Sequence, residues 1–285
     1  MYLFRLASAA PAESLLIHLG GSIFHPLFVV LAAVLAAIYG LTASYGLAIV
    51  LLTVVIMTLL MPLTVRSTRS TMAMQRLQPR ITRLQQEYKG SENREQLNRE
   101  LMRVYKEEGI NPAGSCLPLL LQLPILVVLY DLIKGLSTTL ITTVRGHSVA
   151  VAQPRYIPTS SRMYHQLVAN HGAMNWFGIN LALRPFSIHA QWFAVLPSLA
   201  LVLIAVGLQY VLLAQMKKRS PAAAQANPQM RTMQKLLPIL YASLYLAVPG
   251  AVVLYTVVAT AIRIGTQWLL SRRGTDEPPP PAIAA

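Results

Sequence analysis

Apolar residues run almost without interruption from Pro26 to Leu63, 38 positions, nearly twice the roughly 20 a helix needs to cross hydrocarbon. A run of that length has to break. Small, polar and glycine residues cluster at Thr42-Ala43-Ser44-Tyr45-Gly46, which makes this the predicted interruption. Beyond the break the run reads as one full span from about Gly46 to Pro62, and before it as a shorter apolar helix over 26–41. Two placements are open for that shorter piece: lying in the outer interface, the preferred one, or crossing as a tight sixth span.

Further apolar runs extend from Cys116 to Ile133, Trp192 to Ala214, Leu236 to Val248 and Gly250 to Leu270. The last two are separated only by Pro249-Gly250. Between the first and second spans, Arg66 to Glu108 changes character, with ten basic and six acidic residues at spacings that suit solvated helices. Met72, Leu77, Ile81, Leu84 and Tyr88 recur at near-helical spacing, as do Leu97, Leu101, Val104 and Tyr105 beyond a turn at Lys89-Gly90-Ser91. The periodicity predicts an amphipathic helical hairpin; an ordinary charged loop is the plainer alternative.

The resulting expectation is an all-α polytopic membrane protein. Its parts are an N-terminal segment with an outer interfacial helix (1–44), spans at 45–63, 113–134 and 191–215, and two more within 235–270. A cytoplasmic hairpin (64–112), an extracytoplasmic loop (135–190), a cytoplasmic loop (216–234) and a disordered, proline-rich tail (271–285) connect and end them. Ala10-Pro11-Ala12 resembles a cleavage site but no apolar h-region precedes it, so no cleavage is expected.

Composition agrees with the pattern. The chain is 54% hydrophobic and 12% charged, with a mean hydropathy of +0.50, a balance a soluble domain hardly reaches. A net charge of +14 would otherwise suggest nucleic acid, but the cations lie between the apolar runs and therefore act as topology signals, not as a DNA-binding surface. The hairpin carries ten Lys and Arg, residues 217–235 five and the tail two, against five in 134–184. Hairpin, second loop and C-terminus are accordingly expected in the cytoplasm, with the protein in the plasma membrane.

Enzyme chemistry finds little support. Cys116 is the single cysteine, and the six histidines (18, 25, 147, 165, 171, 189) include no His-x-x-x-His pair. No metal-ligand spacing, phosphate loop or nucleophile elbow is present, so neither catalysis nor a cofactor is expected. Two rival functions can be framed. A small-solute transporter or channel calls for intramembrane acids or paired broken helices, and Asp131, near the outer end of a span, is the sole acid of that kind. An intramembrane hydrolase calls for a nucleophile and base facing each other, and no such pair can be drawn.

The distinctive run is Met72-Ala73-Met74-Gln75-Arg76-Leu77-Gln78-Pro79, preceded by Pro62-Leu63-Thr64 and followed by Asn111-Pro112-Ala113-Gly114-Ser115-Cys116-Leu117-Pro118 and Leu119-Leu120-Leu121-Gln122-Leu123-Pro124. Phe177-Gly178-Ile179-Asn180-Leu181, Asn227-Pro228-Gln229-Met230 and Val248-Pro249-Gly250 with Val253-Leu254-Tyr255 continue the order. Over roughly residues 45–270 the chain resembles the YidC/Alb3/Oxa family of membrane-protein insertases, in the short form without a large periplasmic domain. The resemblance implies five core helices around a polar groove open to the cytoplasm. It also implies work on nascent membrane proteins, alone or with the Sec translocon, the translating ribosome and phospholipids as partners.

Groove residues are assigned by position. Thr53 and Gln122 match polar positions of the family's first two spans, and Tyr255 lies in a matched block of the last. Thr256, Thr260, Arg263 and Gln267 follow i, i+4, i+7, i+11 spacing and share one helix face. Many members carry an arginine five residues before Pro-Leu-Thr, where this chain has Met57. Met57 and Arg263 would lie at similar depths, about 16 to 20 Å into their spans at 1.5 Å per residue. Arg263 therefore either restores the groove's positive charge from another helix or snorkels to the cytoplasmic interface beside Arg272 and Arg273. Gln122 either faces substrate or serves as a helix-to-helix bond. In the hairpin, Met72, Met74 and Met102 are expected to capture varied apolar segments, with Arg76 among the cations that meet RNA or lipid headgroups.

Overall fold

The computed structural model describes residues 25–88, 93–109, 117–144, 147–185, 192–219, 236 and 240–272. Outside them lie the N-terminal segment, the turn at Lys89-Gly90-Ser91, the Asn111 to Cys116 stretch, the Asn227-Pro228-Gln229-Met230 block and the proline-rich tail.

The long apolar run does break where small and polar residues cluster. Helix α1 covers His25–Thr42 and α2 Tyr45–Leu59, separated by Ala43, whose φ of 52° lies in the left-handed region. The Tyr39 and Tyr45 rings stack across the break at 4.5 Å. One face of α1 (Phe28, Leu31, Ala32, Leu35, Ala36, Tyr39) is buried at i, i+3, i+4 intervals.

Helix α2 has 15 residues, about 22 Å, too short alone for hydrocarbon about 30 Å thick. It continues past Leu60 into α3, Met61–Arg76, at a bend of 58°. Pro62, the second residue of α3, has no N–H to return to the preceding turn, which is a sufficient cause for the bend. Two short helices, α4 (Gln78–Glu87) and α5 (Arg94–Glu107), then pair and close over Ile81 and Val104, only 4% and 3% exposed. Met72 and Met74 occupy α3, Arg76 ends it, and Met102 lies half-exposed on α5.

Helix α6 is Leu117–Leu136 and α8 is Trp192–Arg219. Helix α9 covers 240–247, and Pro249 separates it from α10, Gly250–Arg272. Two helices, Val195–Gln215 within α8 and Gly250–Leu270 within α10, are long and apolar enough to cross a membrane; the bent α2–α3 pair is a third if counted as one span. Helix α10 is central: it packs on α8, α2 and α6, and much of it is buried.

The all-α expectation misses the segment between α6 and α8. Strands β1 (Thr139–Val144) and β2 (His147–Ala152) form an antiparallel hairpin in register Thr139↔Ala152 to Val144↔His147. Their β-branched runs around Arg145-Gly146 are the sequence signal for it. Next comes α7, Arg162–Ala169, capped by Ser161, whose hydroxyl accepts from the Tyr164 N–H. A second pair, β3 (Asn175–Trp176) and β4 (Ile179–Asn180), closes on the two-residue turn Phe177-Gly178.

That small hairpin is fastened tightly to the bundle. Asn180 Oδ1 accepts from the backbone N–H groups of Met174 and Ala182, both at 3.1 Å. The carbonyls of Leu183 and Leu181 accept from the N–H groups of Gly250 and Ala251 at 3.0 and 2.8 Å, satisfying donors that the first turn of α10 leaves unpaired. On the other side the Trp176 ring lies over Gly46, so close that a Cβ there would sit 2.1 Å from Trp176 Cδ2.

Candidate functional site

Polar side chains converge where α6 meets α10. Arg263 Nη2 donates to Gln122 Oε1, and Gln122 Nε2 donates to Tyr255 Oη at 3.1 Å. Because a guanidinium can only donate, the orientation of the amide is forced: oxygen toward Arg263, nitrogen toward Tyr255. Tyr255 thus acts as an acceptor in this bond and keeps its own O–H proton for another partner.

The geometry bears on where the guanidinium points. Tyr255 and Arg263 are eight positions apart on α10, about 12 Å along its axis, yet one glutamine side chain touches both. Arg263 must reach back toward the Gly250 end, the direction in which helical side chains lean, and away from Arg272. Tyr255, Tyr241 and Tyr245 lie within electrostatic range of it. Among the described residues no carboxylate pairs with it. Tyr245 accepts in turn from Gln209 Nε2 of α8 at 3.0 Å, so α6, α8, α9 and α10 all contribute to one polar cluster.

The other groove candidates are more enclosed. Thr53 is fully buried, and its hydroxyl donates to the Ile49 carbonyl of its own helix at 2.6 Å. Thr256 likewise donates to the Val253 carbonyl at 2.7 Å. Met57, Tyr255, Thr256 and Thr260 are all buried, while Gln122, Arg263 and Gln267 keep partial exposure. The structure thus brings Gln122, Tyr255 and Arg263 into contact, and places Thr53, Met57, Thr256 and Thr260 in packed surfaces. Sequence reasoning missed Gln209, Tyr241 and Tyr245. Their signal was available, since Gln209 is an amide inside an apolar span and needs a partner just as Gln122 does.

The hairpin forms a second, water-facing site. Arg80 Nη2 meets Glu107 Oε2 at 3.1 Å and Arg80 Nη1 meets Glu108 Oε1 at 3.5 Å, across the two helices; Arg103 Nε meets Glu107 Oε1 at 2.9 Å. The hydrogen bond from Arg103, with a smaller one from Arg80, holds the Glu107 carboxyl below the usual glutamate range. Met102 is flanked by Asn98, Arg99, Arg103, Lys106 and Glu107 around an open recess of about 570 Å³.

Residues 37–277 match the family model described as 60Kd inner membrane protein. The chain belongs to this family. The proteins titled membrane protein insertase YidC from Francisella tularensis subsp. novicida (strain U112) and subsp. tularensis (strain WY96-3418) are each 32% identical over 235 residues. Those matches cover 82% of this chain and 34% of each relative, so the chain spans about a third of the length of these curated relatives. The crystal structure titled active YidC insertase, with its first transmembrane domain resolved, superposes with a TM-score of 0.56 at 21% identity. It covers 90% of this chain and 51% of that one, and it establishes a shared fold. As a member of the 60Kd inner membrane protein family with several apolar helices, the chain is a multi-pass protein of the inner membrane.

Proposed function

We propose that this protein is a non-enzymatic insertase and chaperone that admits nascent membrane proteins to the bilayer. In this reading α2 with the start of α3, α6, α8, and two spans within 235–270 that include α9 and α10, are five core spans around a groove that opens toward the cytoplasm. The α4–α5 hairpin and the C-terminus lie in the cytoplasm, and α1 lies in the outer interface. Nascent chains are the substrates, with the Sec translocon, the ribosome and phospholipids as partners.

The observation that carries the reading is the Arg263–Gln122–Tyr255 chain. A cation inside apolar helices is costly, and this one is held by the Gln122 amide, with no carboxylate paired to it among the described residues. It therefore retains a demand for negative charge. A segment entering the membrane must bring polar flanks through hydrocarbon, where each unsatisfied backbone group costs several kcal/mol. A polar station partway across shortens that path, and burial of the arriving apolar helix supplies the drive without nucleotide. The packed state of Thr53, Met57, Thr256 and Thr260 then represents the groove at rest, with α2 and α10 parting when substrate arrives. Met102 and its cationic rim, with Met72, Met74 and Arg76 nearby in sequence, offer the first contact.

Crosslinkers placed at residues 53, 122 and 256 in vesicles programmed with a stalled nascent membrane protein test the reading. Adducts at 122 first, and at 53 and 256 with longer nascent chains, are expected; no adduct at any of the three sinks it.

A further inference from the structure

The turn at the tip of the β3–β4 hairpin puts an aromatic ring where the backbone disfavours one. Phe177 has φ 45° and Gly178 φ 77°, the pair of left-handed conformations for which Asn-Gly is the favoured sequence. A bulky side chain there is strained, yet the ring is 82% exposed, touching Trp176 edge-on at 4.9 Å. Burial in the fold therefore does not explain it. An exposed ring held by a strained backbone points to a contact outside the chain.

The hairpin's fastening says what that contact is. Trp176, one residue before, lies on Gly46 in the first turn of α2, and Leu181, four residues after, binds the first turn of α10. Immediately beyond Gly46, α2 turns Leu47, Leu51, Val54 and Val55 outward at i, i+4, i+7, i+8, a stripe that in a membrane protein faces acyl chains. Through Trp176 and Leu181 the hairpin that carries Phe177 is fastened at the level where α2 and α10 begin. In the proposed orientation this level is the polar–apolar boundary of the outer leaflet, where an apolar ring such as Phe can bury itself at the headgroup/acyl border.

We infer that Phe177 is an interfacial anchor: its ring inserts among lipid headgroups and upper acyl carbons of the outer leaflet and fixes the depth of α2 and α10. The inference rests on the proposed orientation of those two helices, with their N-terminal ends outward.

The test labels Phe177→Cys, in a Cys116→Ala background, with an environment-sensitive fluorophore, the protein being reconstituted in phosphatidylethanolamine/phosphatidylglycerol vesicles. A nitroxide at acyl carbon 5 should quench it by about twofold and more than one at carbon 12, as a boundary position demands. Iodide on both sides of the bilayer should quench it far less than the same label at Ser160. Strong iodide quenching without lipid quenching, or protection from both quenchers, overturns the anchor. So does stronger quenching at carbon 12. Phe177→Asn, which relieves the strained turn, should leave the melting temperature in detergent unchanged or raised; a large fall shows internal packing and also overturns it. Insertion measured in the same vesicles reports separately on the proposed function.

Discussion

Arg263 and Gln122 are 141 positions apart in sequence, and the guanidinium of one donates to the amide oxygen of the other between α10 and α6. Gln122 passes the interaction to Tyr255, which makes the three residues a unit. If the unit receives acidic flanks of entering segments, Arg263→Ala should slow their insertion about ten- to a hundredfold, since a hydrogen bond to a charged group is worth about 1.5–3 kcal/mol and about 1.4 kcal/mol is a factor of ten. Segments with neutral flanks should be nearly unaffected. Gln122→Leu should produce part of the loss, and the double variant less than the product of the two. Equal slowing of both substrate types would assign Arg263 a structural role. Met57→Arg should rescue Arg263→Ala if the charge matters more than the helix that carries it.

The legibility of each element in the sequence depends on the physics that forms it. The hairpin helices and the break at Thr42 to Gly46 are readable because periodicity and breaker residues act locally. The contact of Arg263 with Gln122 is not, because spacing along one helix gives a face and not the partner across it. Depth counting gives Arg263 and Met57 similar depths but says nothing of the glutamine on a third helix to which the structure ties Arg263. The β1–β2 pair is visible as two β-branched runs but is overshadowed by the helical character of the rest. Phe177-Gly178 stands out as a sequence landmark, while the left-handed turn it makes needs coordinates to be seen.

Gly46 is predicted to be irreplaceable for packing. A methyl at this position would lie 2.1 Å from the Trp176 ring, and overpacking of this kind costs about 1–3 kcal/mol. Gly46→Ala should lower the melting temperature in detergent, and Trp176→Leu in the same chain should recover part of the loss. An unchanged melting temperature for Gly46→Ala would show that the ring is free to leave α2.

Asn180 accepts two backbone N–H groups, from Met174 and Ala182. Asn180→Ala strands both and should cost about 1–3 kcal/mol, seen as earlier thermal unfolding and faster proteolysis between α7 and α8. Asn180→Asp keeps the accepting oxygen and should lie close to wild type. If alanine and aspartate variants melt alike, the two bonds contribute nothing.

Across the hairpin, Glu107 ties α5 to α4 through Arg80. Its pKa is lowered, first by the bond from Arg103, so the sign is that of a depressed carboxylate. The stabilisation is complete above the unfolded glutamate value of about 4.3 and is lost as pH falls through the lower folded value. Spin labels at Leu84 and Leu101 should therefore report a constant distance from pH 7 to about 5 and a broader, longer one below about 4, in the range where glutamates protonate. High salt should widen it at neutral pH, because the pairs are solvent-exposed and screened. Glu107→Gln should shift the distance at neutral pH and flatten its acid response, whereas Ile81→Arg should open the hairpin at every pH by placing a permanent charge in its buried seam. A Glu107→Gln profile that follows the wild-type curve would mean that the buried Ile81 and Val104 hold the hairpin without the ionic clasp.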